Sequence, residues 1–145
     1  ATILDFPETL ATARRYAAEA GLAGRIAHVG GNAITTAWPG GQDAVLMSYV
    51  WSAVGAADIP ALARRAFDAL NPGGSVLIHD FMVDDAHQGP DFAAWYLLAA
   101  ILDNPGAECL TPGYVEGALR AAGFAVERTE PMLDGITSLT RARKP

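Results

Sequence analysis

The chain has 145 residues, of which 51% are hydrophobic and 18% charged, with a net charge of −6. That is the size of one domain with one sizeable core, and the composition excludes a disordered chain. Acidic and basic residues are interspersed, with no basic patch for nucleic acid, and no apolar run approaches the roughly 20 residues of a membrane helix.

The elements follow in chain order. "ATILDF" has strand composition, and Pro7 suits the first turn of a helix, with Glu8 near its positive end. Leu10, Ala13, Ala17 and Ala20 recur at helical spacing, and Gly21 marks the stop. "RIAHVGG" reads as a short strand closed by glycines. "DAVLMSYVW" is a nearly continuous apolar run, the pattern of a strand covered on both faces. "ADIPALARRAFDAL" predicts a helix with Asp58 at its N-cap and Pro60 in its first turn. "NPGG" predicts a turn, and "SVLIHDF" the next buried strand.

"DFAAWYLLAAIL" and "TPGYVEGALRAAGF" then read as helices, the second with Thr111 as N-cap and Gly123 as stop. "AVERTEPM" and "ITSLTRAR" alternate apolar and polar residues and predict a terminal antiparallel pair. Strands alternating with helices predict an α/β sheet that is mostly parallel. No Cys/His cluster has metal-ligand spacing. The single cysteine, Cys109, has no internal disulfide partner, which points to a reducing cytoplasm.

In such sheets ligands bind beyond the carboxyl ends of the strands. Those ends hold Asp5 and Phe6, Asn32 and Ala33, Ser48 to Ser52, and His79 and Asp80. A carboxylate there, Asp5, offers two acceptor oxygens to the diol of a ribose. Asn32 can donate to and accept from an adenine edge. Together they describe a nucleoside pocket without a phosphate-cradling Lys-Ser/Thr loop.

"LDFPETLATARRYAAEAGLAGRIAHVGGNA", "DAVLMSYVW", "ALNPGGSVLIHDF" and "DNPGAECLTPGYVEGALRAAGF", in that order and followed by the strand pair, resemble S-adenosylmethionine-dependent small-molecule O-methyltransferases. The closest group is that of plant-phenolic and bacterial polyketide or pigment pathways. The resemblance implies a Rossmann-like methyltransferase sheet lacking its first, central strand. Residues 1–145 would then be a partial domain, without the glycine-rich loop and the N-terminal dimerisation domain. It implies S-adenosyl-L-methionine as cofactor and a small aromatic or polyketide-like acceptor methylated at oxygen. It also implies a cytoplasmic protein, homodimeric at full length. A cofactor-binding relative with hydroxylase- or decarboxylase-like chemistry, or an inactive binding fragment, is the alternative.

Carried over by position, Asp5 holds the cofactor ribose, Phe6 packs beside the adenine, and Asn32 and Ala33 border the adenine. Ser48 stands where a lysine often lies near the cofactor. Asp80 flanks the reacting centre, with His79 as a second catalytic candidate, and Trp51 and Asn104 line the acceptor. The family's usual catalytic histidine falls on Ser52.

Each assignment has a simpler counterpart. Asp5 can cap the following helix, Asn32 can be a turn residue, and Trp51 can be core. Strand alternation sends His79 to the face opposite Asp80, where it can be a hydrogen-bonded structural histidine. Cys109 can be an inert buried thiol.

Overall fold

The computed structural model describes residues 1–145, the side chain of Asp134 excepted. The chain forms two compact units, Ala1–Trp38 and Pro39–Pro145.

In the first unit, β1 (Thr2–Asp5) leads into α1 (Pro7–Glu19), and β2 (Ala27–Gly30) returns parallel to β1. Pro7 supplies the φ of a first helical turn, and Gly21, at φ +69, ends the helix where an L residue would be strained. Leu10 and Ala17, two turns apart, are its buried residues. The register pairs Asp5 with Gly30, so both strands finish together.

The second unit carries β3 (Gln42–Ser48), α2 (Ile59–Ala69), β4 (Leu70–Asp80), α3 (Asp91–Asp103), α4 (Pro112–Ala121), β5 (Ala125–Met132) and β6 (Thr137–Arg143). The sheet order is β3-β4-β6-β5. β3 and β4 are parallel, and β6 runs antiparallel to both β4 and β5. Three of the four strands therefore point one way, and the expected closing antiparallel pair is present. α2 buries Ile59, Leu62, Ala63, Ala66 and Ala69, the stripe that its period requires. The Thr111 hydroxyl accepts the N–H of Tyr114 and caps α4, as expected.

Three local expectations are corrected. Asp58 occupies the N-cap of α2 but makes no side-chain capping bond, because its own backbone is already helical. "NPGG" is not a turn before the strand but an irregularity within β4, which starts at Leu70. The register jumps from Gln42↔Leu70 to Ala44↔Ser75, and Gly73 takes φ +78. β3 is not covered on both faces either. Met47 is buried, while Leu46 on the other face is 64% exposed. Along β4, Val76, Ile78 and Asp80 are buried and Leu77 and His79 half-buried, an alternation of period 2. No helix among the described residues is long and apolar enough to cross a membrane.

Candidate cofactor and active site

The candidate residues divide between the two units. In the first, Asp5 closes β1, and its Oδ1 accepts the N–H of Phe6 at 2.7 Å. It does not cap the first turn of α1, where Phe6 occupies the N-cap without a side-chain bond. The capping alternative for Asp5 is therefore not realised. Phe6 itself is half exposed. One strand over, Asn32 makes an Asx turn: its Oδ1 accepts the N–H of Ile34 at 2.8 Å. The Asn32 amide nitrogen thus remains to donate, and the turn and ligand roles coexist. The Ala33 carbonyl accepts Trp38 Nε1–H at 2.9 Å, which holds the segment after β2. A Cβ at Gly31 would collide with the Thr36 side chain, so a glycine is required where the chain leaves β2.

In the second unit, the residues at the ends of β3 and β4 form two clusters on opposite faces of the sheet. On the buried face, Asp80 Oδ2 accepts the N–H of Ser52 at 3.1 Å and Oδ1 accepts the N–H of Phe81 at 2.9 Å. Burial is the dominant influence and raises the Asp80 pKa above its ordinary 3.8. The Ser52 hydroxyl and the N–H groups of Ser52, Phe81 and Trp51 pull the other way. That hydroxyl lies close enough to favour the charged carboxylate but outside hydrogen-bond geometry. Ser52 Oγ is therefore a buried oxygen without a partner among the described residues. Trp51 is wholly buried and donates Nε1–H to Met47 Sδ at 3.4 Å, so its ring packs the core.

On the other face, His79 stands between two hydroxyls. Nδ1 is 2.9 Å from Ser48 Oγ, and Nε2 is 3.0 Å from Thr137 Oγ1. The Tyr49 ring packs against the imidazole at 4.9 Å and against Phe81 at 5.1 Å. Phe81 in turn stacks on Tyr96 at 3.7 Å. Tyr49 takes φ +56, an unusual conformation for a non-glycine residue and one associated with functional loops. Sequence reasoning missed Thr137, and it included Tyr49 only within the strand-end run Ser48 to Ser52, without a role. Thr137 lies 58 positions from His79, and no local pattern relates them.

Asn104 ends α3, and its Oδ1 accepts the N–H of Gly106 at 3.1 Å. The same loop is anchored by Ala56 N–H to the Gly106 carbonyl at 2.7 Å. Cys109 is a half-buried thiol whose pKa is pushed up by burial and then by Glu108, so it is no ready nucleophile. No cluster of His, Cys, Asp and Glu among the described residues fits a metal ion.

Comparison with known proteins sets these features in context. The model of the O-methyltransferase domain family matches residues 1–125. A 3-hydroxy-5-methyl-1-naphthoate 3-O-methyltransferase of Streptomyces sahachiroi is 30% identical over 97% of this chain and 42% of its own length. An L-tyrosine C(3)-methyltransferase of Streptomyces lavendulae is 34% identical over 88% of this chain and 35% of its own. Among solved structures, the S-adenosylmethionine-dependent methyltransferase SibL in its apo form superposes with a TM-score of 0.80 at 32% identity, covering 99% of this chain and 43% of that one. The chain thus spans less than half the length of the relatives it matches.

Proposed function

We propose a function from one premise: the chain belongs to the O-methyltransferase domain family. The intact protein transfers a methyl group from S-adenosyl-L-methionine to a small aromatic or polyketide-like metabolite, at oxygen. The observation that carries this reading is the Asp5↔Gly30 register. It sets a carboxylate at the carboxyl end of one parallel strand and the glycine-closed turn of Asn32 at the end of its neighbour. Asp5 accepts from the ribose diol, the Phe6 ring packs beside the adenine, and the Asn32 amide donates to the base edge next to Ala33. Ser48 meets the cofactor, and Asn104 meets the acceptor.

The cofactor supplies a sulfonium-bound methyl group, and its transfer is a direct displacement in which alignment provides much of the acceleration. A phenol acceptor must also lose a proton held with an ordinary pKa near ~10. Ser52 has no partner to activate it, and the Asp80 carboxylate is occupied by two backbone N–H groups. Asp80 acts by fixing the segment Trp51–Ser52. The phenol proton then leaves to water, or the acceptor atom is a ring carbon, whose own C–H proton leaves to water after the methyl group has bonded, so that no base has to act beforehand. That second reading, methylation at carbon, is favoured by the partnerless Ser52.

We further propose that residues 1–145 are part of a methyltransferase domain. β1 and β3 each lie at the edge of their own sheet with one side open to a further strand. The intact protein is a homodimer: α3 exposes Phe92, Trp95, Leu98 and Leu102 along one stripe, Trp95 at 71% and Leu102 at 77%. A cytoplasmic enzyme of secondary metabolism suits the single thiol. The test is incubation of the intact protein with isotopically methyl-labelled S-adenosylmethionine and a panel of phenols, naphthoates and tyrosine. The expected result is label in an aryl methyl ether. Label in an aryl C-methyl group would favour the second reading, and no label in any acceptor would count against both.

A further inference from the structure

Resting on that cofactor reading, we infer that His79 is a positioning residue, which with Thr137 fixes the Ser48 hydroxyl as an outward hydrogen-bond donor to an acceptor oxygen of the cofactor. The sheet brings three side chains into line. Ser48 and His79 are paired across β3 and β4, and Leu139 is paired with His79 across β4 and β6. Thr137 lies two residues before Leu139 and hence on the same face. The three side chains form one hydrogen-bonded row that passes from a fully buried hydroxyl, through a half-buried ring, to an exposed hydroxyl.

Burial sets the direction of that row. Thr137 is 1% exposed, and its Oγ1 makes its side-chain hydrogen bond to His79 Nε2. A hydroxyl can donate or accept, but a buried O–H that donates to nothing is costly. Thr137 therefore donates to Nε2, which must be the bare, accepting nitrogen. The ring proton then sits on Nδ1 and is donated to Ser48 Oγ. A hydroxyl that already accepts from His79 does not direct its own proton back at the donor. Ser48 turns that proton outward, at the carboxyl end of β3 where ligands of such sheets bind. The Tyr49 ring, packed on the imidazole at 4.9 Å, helps to hold the ring in this orientation. The opposite polarity would present Ser48 as an acceptor and select a donor group instead. Thr137 thus acts on ligand choice from inside the sheet, through His79, without reaching the ligand.

The test has two readouts on the intact protein. Long-range nitrogen–proton correlation spectra assign the tautomer of His79, and the Nδ1–H form is expected. The Nε2–H form would overturn the inference, and this readout holds whether or not the cofactor reading stands. Calorimetry with S-adenosylhomocysteine then compares Ser48→Ala, Thr137→Val, the double variant, and Thr137→Ser, which restores the hydroxyl. Each of the first two is expected to weaken binding about tenfold, the scale of one hydrogen bond. The double variant should be no weaker than the weaker single, because both remove the same contact. Thr137→Ser should bind as the wild type does. Losses that multiply in the double variant, or full affinity in Thr137→Val with the tautomer unchanged, would overturn the inference. Absence of binding by the wild type would instead count against the cofactor reading.

Discussion

Asp80 and Ser52 are joined across the sheet: the carboxylate at the end of β4 accepts the backbone N–H of Ser52 at 3.1 Å. The same carboxylate accepts the N–H of Phe81 at 2.9 Å, so one side chain fixes both the end of its own strand and the segment that follows β3. A bend after β3 has backbone donors that the ladder cannot satisfy, and a buried acceptor supplies what water does elsewhere.

Asp80→Asn puts an amide NH₂ where one of these acceptors was. The variant should be less stable at neutral pH by about 1–3 kcal/mol, the cost of a buried group left without its partner. Acid should widen the gap. Burial holds the Asp80 pKa above 3.8, so the folded chain binds this proton more tightly than the unfolded one. Its contribution to stability is full below the unfolded value and is lost as pH rises through the folded value. Denaturant unfolding of wild type and variant from neutral pH to below 3.8 checks this. A gap that narrows on acidification would contradict it.

Ser52→Ala removes a buried hydroxyl that has no partner. The variant should unfold at the same denaturant concentration as wild type or somewhat higher, within about 1 kcal/mol, since no hydrogen bond is lost. In the intact protein its single-turnover rate should fall less than tenfold, under about 1.4 kcal/mol. Asp80→Asn should lower that rate more, by releasing the Trp51–Ser52 segment. A collapse in Ser52→Ala alone would make its hydroxyl a participant in the chemistry.

The stripe on α3 carries the dimer proposal. Trp95→Lys together with Leu102→Glu puts charges on positions that are 71% and 77% exposed, so folding should be little affected. The intact wild type is expected to elute as a dimer in size-exclusion chromatography with light scattering, and the intact variant as a monomer. Unchanged mass would place any dimer contact elsewhere.

Local chemistry is legible in this sequence where one residue decides the outcome. Pro7, Gly21, Thr111 and Gly123 mark helix ends because their own φ or hydroxyl sets the backbone, and the structure puts helix ends beside each of them. The "NPGG" segment misleads because its glycines permit a turn, while the pairing of Leu70 with Gln42 of β3 and the backbone bonds of Gly73 and Gly74 with Lys144 draw it into β4. Strand ends containing Asp5, Ser48 and Asp80 are readable from apolar runs that stop at polar residues. Which groups those residues meet is not readable. Ser48 and His79 are 31 positions apart, and His79 and Thr137 are 58 apart, and only the strand register brings them together. Trp51 shows the same limit: the apolar run predicts a strand up to it, but β3 ends at Ser48. This aromatic residue just past the strand, suited to a pocket wall as well as a core, is wholly buried.

The proposed nucleoside contact of this chain centres on Asp5, whose Oδ1 accepts from Phe6 and which leaves α1 uncapped. Calorimetric titration of S-adenosylhomocysteine into the intact protein and its Asp5→Ala variant tests it most directly. Charge-assisted hydrogen bonds contribute about 1.5–3 kcal/mol, so binding to wild type and a roughly tenfold to hundredfold weaker affinity in the variant are predicted. Equal affinities, or no binding to the wild type, would contradict it.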